Sequence, residues 1–218
     1  ALLHRGPGAA DTMVPAGGMS TKRWNIVDGL DGSGKSTIAH WIGEHYEARG
    51  ERVLVQMHPS ERFTGRIARR ALQSKGSAMF VVSTTFFILD VLGSLSRLRR
   101  WRRSCDTVVF VRYIMAAAYL PKRYAQQGYD LIAKVLPIPS RLLLIDIDPE
   151  TAMKRISTRE DEEEMFENIP SLTREREKVL MLSHGWKVLD NNQDEAASRL
   201  QLIRILEEWD STLGDATV

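Results

Sequence analysis

The residues with the clearest chemistry lie together between Gly29 and Thr37, where the chain reads Gly-Leu-Asp-Gly-Ser-Gly-Lys-Ser-Thr. Gly29, Gly34, Lys35 and Ser36 are spaced as in the phosphate-binding pattern G-x-x-x-x-G-K-[ST]. Gly29, Gly32 and Gly34 carry no Cβ and tolerate positive φ, so the N–H groups of the turn, Asp31 and Ser33 among them, can curl around an anion. A helix opening at Lys35, Ser36 and Thr37 aims its positive end at the same point. Lys35 adds a mobile point charge for terminal phosphates, and the Ser36 hydroxyl suits Mg²⁺. The pattern predicts a grip on the triphosphate of ATP, with Mg²⁺ as cofactor.

A phosphate grip names a nucleotide and leaves the reaction open. Phosphoryl transfer spreads negative charge over equatorial oxygens, so it needs positioned cations. Arg155 and Arg159 stand four residues apart at the end of a predicted helix and can project from one face. The acidic run Asp161 to Glu164 follows, as on the outer surface of a short lid over about 155–170. Arg62 and Arg66 come just after His58-Pro59-Ser60, where they either face an acceptor phosphate or point to solvent. Phe87 stacks on an acceptor base or joins the core. Asp90, alone on an apolar stretch, is costly to bury without a partner. It either meets an acceptor or pairs with a neighbouring arginine.

These residues are held by an alternation of short β-branched runs and longer helical stretches, the pattern of βαβ units and a parallel sheet. Strands are predicted at about 24–28, 52–57, 106–111, 141–148 and 186–189. Helices are predicted at about 35–49, 61–74, 77–103, 115–135, 149–158, 171–184 and 193–213. The fold class is therefore α/β, a three-layer P-loop fold with a five-stranded parallel sheet, helices on both faces and a short lid. Ligands of such sheets sit at the carboxyl ends of the strands. That rule gathers the loop, His58-Pro59-Ser60, Arg112-Tyr113 and Asn191-Asn192 along one edge.

Bulk properties narrow the alternatives. At 218 residues with 43% hydrophobic and 27% charged residues, 21–218 reads as one globular domain. A formal net charge of +2 gives no bulk attraction to nucleic acid or acidic membranes. The arginine-rich run 97–103 closes a long helix, where cations are favoured, and Leu98 and Trp101 at a three-residue spacing face inward. A lone Cys105 excludes an intrachain disulfide and agrees with a reducing cytoplasm. The five histidines show no zinc-ligand spacing with it. Residues 1–20, rich in Gly, Ala and Pro, read as a disordered leader with Met19 as a natural start. The apolar stretch 78–95 contains Asp90, Ser, Thr and Gly, so it is expected as a buried helix and no membrane span.

The chain resembles the thymidylate kinase family of nucleoside monophosphate kinases over roughly Asn25 to Leu206. The resemblance rests on the loop 29–37, VVFVRY (108–113), IDIDPETAMKRI (145–156), STREDEEEMFEN (157–168) and WKVLDNN (186–192). It implies transfer of the γ-phosphoryl of ATP to a nucleoside monophosphate, thymidylate first, and a homodimer through the long helices. It assigns Asp31 to the acceptor's sugar hydroxyl, Lys35 and Ser36 to ATP and Mg²⁺, Arg112 to the acceptor phosphate, and Asn191-Asn192 to the adenine border. Because Gly32 follows the loop aspartate, the resemblance moves the catalytic arginine to Arg155 or Arg159. The 58–66 segment (with Ser60 and Arg62), Phe87, Tyr113 and Tyr119 fall in regions used for acceptor contacts, Tyr119 about one residue out of register. Three departures concern the acceptor half. The family's Asp-Arg-Tyr reads Val111-Arg112-Tyr113, its Ala-Asp-Arg reads Leu89-Asp90-Val91, and its Ser-x-x-Ala-Tyr-Gln is replaced by Met115 to Leu120.

Overall fold

The computed structural model describes residues 22–72, 77–158 and 168–214. The leader at 1–20 and the lid residues 159–167, with Arg159 and the acidic run, lie outside the described residues. One parallel sheet contains β1 (Arg23–Gly29), β2 (Val53–Met57), β3 (Thr107–Val111), β4 (Arg141–Asp146) and β5 (Lys187–Asp190), in the order β2-β3-β1-β4-β5. Between the strands run α1 (Lys35–Glu47), α2 (Phe63–Leu72), α3 (Ser77–Ser104), α4 (Lys122–Val135), α5 (Pro149–Ser157) and α6 (Ile169–Leu182), and α7 (Glu195–Gly214) closes the chain.

Side chains alternate across the sheet, as the two-residue period of a strand requires. Trp24, Ile26, Val108, Phe110 and Leu144 face a core completed by α3, α4, α5 and α6. Val27, Val109, Val111, Leu143 and Ile145 face a second core completed by α1 and α7. These are the three layers expected from uniformly apolar strands that lack a wet face.

Strand order decides where the site can be. After β1 the chain passes to the edge as β2, returns as β3 beside β1, and then crosses to the other flank of β1 as β4. Neighbouring connections therefore diverge at the carboxyl end of β1 and leave a crevice there. At the opposite end, Arg141 donates to the Tyr46 hydroxyl (3.0 Å), the Trp209 carbonyl (2.9 Å) and Asp210 (2.8 Å). Arg23 joins the same carboxylate at 2.9 Å, so this end is closed by buried polar pairing.

Local chemistry sets the element ends. Gly50, at φ 80°, follows α1 and donates its N–H to the Glu47 carbonyl at 2.9 Å. The helix expected over 115–135 divides into a 3₁₀ turn, Met115–Tyr119, and α4, because Pro121 has no N–H to continue the first. α6 begins at Ile169, earlier than expected, since the Asn168 side chain caps it by accepting from the Ser171 N–H at 2.9 Å. Along α3, Asp90, Val91, Ser94 and Leu98 are buried, whereas Ile88, Leu89 and Leu92 are exposed. One face of that helix packs inward, and the opposite face is exposed at these residues. Leu98 and Trp101 do turn toward the core. No helix among the described residues is long and apolar enough to cross a membrane.

Candidate active site

The turn after β1 has the shape its glycines permit. Gly29, Gly32 and Gly34 adopt φ of 151°, 75° and 89°. A Cβ at Gly32 would lie 2.6 Å from the Ala152 carbonyl oxygen, and one at Gly34 would lie 2.7 Å from Asn191 Nδ2. Bare backbone is therefore required by close neighbours as well as by φ. Gly34 occupies the N-cap of α1 and brings no side chain to cap it, and no acidic residue sits in the first turn. Ser36 and Thr37 are exposed at that positive helix end.

Lys35 is buried, and its ammonium donates to the carbonyls of Gly29 (2.9 Å) and Leu30, with the Asp31 carboxylate at 3.4 Å. Burial, and then the charge of Arg112, lower its pKa to about 8. Arg112 ends β3 with a φ of 60°, in the left-handed region that a non-glycine residue seldom enters. Its guanidinium donates to the Asp31 carboxylate. Burial would raise the Asp31 pKa, but the charges of Arg112 and Lys35 outweigh it and hold the carboxyl far below its usual range. The loop aspartate thus bridges the cation of the phosphate loop and the cation from β3.

Asp28 was not among the residues singled out from sequence. Its buried carboxylate accepts from the N–H groups of Gly29 (3.0 Å), Tyr113 (3.0 Å) and Met115 (3.2 Å). It therefore ties the end of β1 to the backbone on the far side of Arg112. Burial pushes its pKa up, against those three hydrogen bonds and the charge of Lys35. The only sequence signal was a charged residue at the last position of an apolar run, directly before the first glycine.

The other wall comes from α5 and β5. The Arg155 guanidinium donates to the Asn191 carbonyl at 3.0 Å, and its Nη1 is 3.7 Å from where a Gly34 Cβ would stand. Asn191 is buried, and its side-chain amide donates to the Ser33 carbonyl at 2.7 Å. Asn192 is turned elsewhere: its oxygen accepts from the Asp148 N–H at 2.8 Å, and its amide donates to Asp190 at 2.7 Å. Both of its polar groups brace the β5 turn against the start of α5.

The residues expected on the acceptor side divide. Asp90 is wholly buried and accepts from the Ser60 N–H (2.7 Å), the Ser60 hydroxyl (2.6 Å), the Thr64 hydroxyl (2.9 Å) and Arg62 Nε (3.2 Å). Of the two outcomes open to Asp90, the structure takes the arginine pair. Ser60 and Asp90 thereby pin the segment after β2 onto α3. Arg62 also donates to the Asp90 carbonyl at 2.9 Å, which leaves its buried Nη1 without a partner among the described residues. Arg66 is exposed. Phe87 is half-buried, with its ring edge-on to His58 at 6.4 Å. Tyr113 is buried. Its ring packs edge-on against Trp24 (5.8 Å) and Phe110 (5.7 Å), and its hydroxyl donates to the Pro137 carbonyl at 2.9 Å. Tyr119 lies in the 3₁₀ turn, with its side chain outside the described residues.

The donor set suits Mg²⁺ carried on a nucleotide. Among the described residues no group of three or more His, Cys, Asp or Glu could hold a metal ion. The exposed Ser36 hydroxyl stands at a positive helix end, and Mg²⁺ typically takes one or two protein ligands alongside phosphates and water.

Comparison with known proteins agrees with this geometry. A family model described as thymidylate kinase matches residues 27–200. A probable thymidylate kinase of Pyrobaculum calidifontis is 31% identical over 83% of this chain and 94% of its own length. Probable thymidylate kinase 1 of Saccharolobus solfataricus is 26% identical over 84% of this chain and 95% of its own. A thymidylate kinase of Leptospira borgpetersenii is 28% identical over 69% of this chain and 76% of its own.

Proposed function

The chain belongs to the thymidylate kinase family of nucleoside monophosphate kinases, and on that premise we propose that it transfers the γ-phosphoryl group of ATP to thymidylate. The observation that carries the reading is convergence. Lys35 from α1, Arg112 from the end of β3 and Arg155 from α5 surround one glycine turn, although they are far apart in sequence.

Each residue has a task in this reading. The turn's N–H groups and Lys35 hold the β- and γ-phosphates, and Lys35 leaves the Gly29 and Leu30 carbonyls to do so. Arg112 meets the acceptor phosphate and Asp31 the acceptor's sugar hydroxyl. Arg155 lies over the γ-phosphoryl group, where charge spreads as transfer proceeds. Arg159, in the lid segment, is the alternative for that role. An acceptor phosphate oxygen attacks the γ-phosphorus while the bond to the β,γ-bridging oxygen breaks, so a nucleoside diphosphate and ADP result. No side chain needs to act as nucleophile. Ser36 would hold Mg²⁺, whose chemistry is to neutralise charge on the β- and γ-oxygens as a Lewis acid. Asn191 borders the nucleotide through its hold on Ser33. A homodimer through the exposed Ile88, Leu89 and Leu92 of α3 and a cytoplasmic location complete the reading.

The test is ADP formation from ATP, Mg²⁺ and a panel of nucleoside monophosphates and nucleosides. Turnover of thymidylate that is abolished by Lys35→Ala is the expected result. Binding of ATP with no transfer to any acceptor would overturn the proposal, and the loss of a carboxylate at Val111 would then mark a catalytically silent chain.

A further inference from the structure

Arg176, on α6, holds two carboxylates at once. Its Nε and Nη2 donate to the two oxygens of Asp146 at 2.9 Å each, and its Nη1 donates to Asp148 at 2.6 Å. The two acids flank Ile147 where β4 passes into α5, so one planar fork spans the junction. Asp148 is the N-cap of α5, where an aspartate ordinarily accepts from an N–H of the first turn. It makes no such bond, and its carboxylate turns to Arg176 instead. The tie differs from a common surface ion pair, being bidentate on one acid and shared with a second.

The junction meets the phosphate loop by two routes. Through β5, the Asp146 carbonyl accepts from the Asn191 N–H at 2.9 Å, and the Asn191 side chain donates to the Ser33 carbonyl at 2.7 Å. The Asn191 carbonyl in turn accepts from Arg155 at 3.0 Å. Through α5, the Asp148 carbonyl accepts from the Ala152 N–H at 2.9 Å, and the Ala152 carbonyl oxygen is the atom that leaves no room for a Cβ at Gly32. Asp190, the register partner of Asp146, brings a third carboxylate to the same end of the sheet. Without the guanidinium these acids repel one another, and the start of α5 is free to shift.

We propose that Arg176 is a positioning residue for phosphoryl transfer: its fork across Asp146 and Asp148 sets α5 against β4 and β5, and so sets the Arg155 guanidinium beside the phosphate loop. The inference rests on the kinase reading above and adds to it a residue that touches no substrate. A lysine cannot do the same, because a point charge on a flexible stem lacks the fork that spans both acids.

The test is steady-state kinetics of ADP formation with thymidylate, on Arg176→Lys and Asp148→Asn, each alone and combined with Arg155→Ala. Arg176→Lys is expected to lower kcat about 10- to 100-fold, since a displacement of about 1 Å caused far from the chemistry can cost that much. Thymidylate KM should change less than about threefold, because Arg112 and Asp31 bind each other and the Arg112 N–H is held by the Val27 carbonyl of β1. Asp148→Asn, at a side chain 54% exposed, disturbs folding least and should lower kcat about threefold to tenfold. Combined with Arg155→Ala, either substitution should lower kcat less than about twofold further, because the group it positions is gone. Melting temperatures taken alongside show that each variant is folded at the assay temperature. Equal factors with and without Arg155, or an unchanged kcat in Arg176→Lys, would overturn the inference and leave the kinase reading standing. Absence of transfer by the wild-type chain removes that reading and this inference with it.

Discussion

The Asp28 carboxylate accepts a hydrogen bond from the Tyr113 N–H at 3.0 Å, which joins β1 to the turn that carries Arg112. Its other oxygen takes the Gly29 N–H at 3.0 Å. The backbone that follows Arg112 is thus held to β1 while Arg112 itself occupies a conformation that costs about 1–3 kcal/mol. Asp28→Ala strands the buried N–H groups of Tyr113 and Met115 and the part-buried one of Gly29, and each unsatisfied buried donor costs about 1–3 kcal/mol. The expected outcome is a loss of at least about 2 kcal/mol in urea unfolding. Acceptor KM should rise more than ATP KM, because the displaced turn carries Arg112. Equal changes in the two KM values would show that Asp28 supports the fold in general and not the acceptor arginine.

Arg155 donates to the Asn191 carbonyl, which anchors it beside the N-terminal end of α1. A transferring phosphoryl group gathers charge only in the transition state, so a cation above it acts mainly on kcat. Arginines in this position are typically worth about 10³–10⁵ in rate. Arg155→Ala is expected to lower kcat at least about 100-fold with ATP affinity changed severalfold at most. Arg155→Lys should recover little, since lysine lacks the planar fork. Steady-state kinetics with a nucleotide-binding measurement separates the two effects. Full activity in Arg155→Ala would move the role to Arg159.

The fold was legible because the strands are apolar runs and some helix starts carry a chemical mark, such as the glycine turn before Lys35 or Pro149 at the first turn of α5. The shape of the turn from Gly29 to Lys35 was legible for a related reason, since its residues are consecutive in sequence. Asp28 was hidden inside a strand run, where a charge at the last position looks like the start of the loop. The pairing of Asp90 with Ser60, Thr64 and Arg62 joins elements about 30 residues apart, and no local pattern encodes it. Tyr113 illustrates the same limit: the sequence places it beside Arg112, but only the packing of Trp24 and Phe110 turns its ring inward.

Gly32 provides a test of the loop that removes no functional side chain. At φ 75° a Cβ there would lie 2.6 Å from the Ala152 carbonyl oxygen, which is backbone and cannot rotate aside. Gly32→Ala is expected to destabilise the protein by about 1–3 kcal/mol, from conformational strain plus the displacement of α5. Because α5 carries Arg155, kcat should fall along with ATP affinity. Gly50→Ala is the control: it has a similar φ of 80° but nothing within 4 Å of the added Cβ. It should cost only about 1 kcal/mol and leave kinetics unchanged. Equal kinetic effects in the two variants would contradict a role for close packing between the loop and α5.

His58 gives the protein a pH dependence whose sign can be worked out. The Val111 carbonyl can only accept, so Nδ1 carries the proton in their 3.1 Å contact, and Nε2 accepts from the Ser94 hydroxyl at 2.8 Å. Protonating Nε2 would reverse the second bond, the Ser94 hydroxyl then accepting and turning its proton to the Asp90 carbonyl at 3.3 Å, and would place a charge inside a buried site. Burial accordingly lowers the His58 pKa from 6.5 to about 4. Between those values the unfolded chain binds a proton that the folded chain refuses. Stability from this group is therefore present above pH 6.5 and is lost as pH falls toward about 4. The full loss is up to about 3 kcal/mol. Urea unfolding across this range should show the decline, and His58→Gln should flatten it relative to the wild-type chain. A direct check is the imidazole proton resonance, which should titrate near pH 4. Titration near 6.5 would mean that the buried neutral ring, and with it the Val111–His58–Ser94 chain behind the site, is not the folded arrangement.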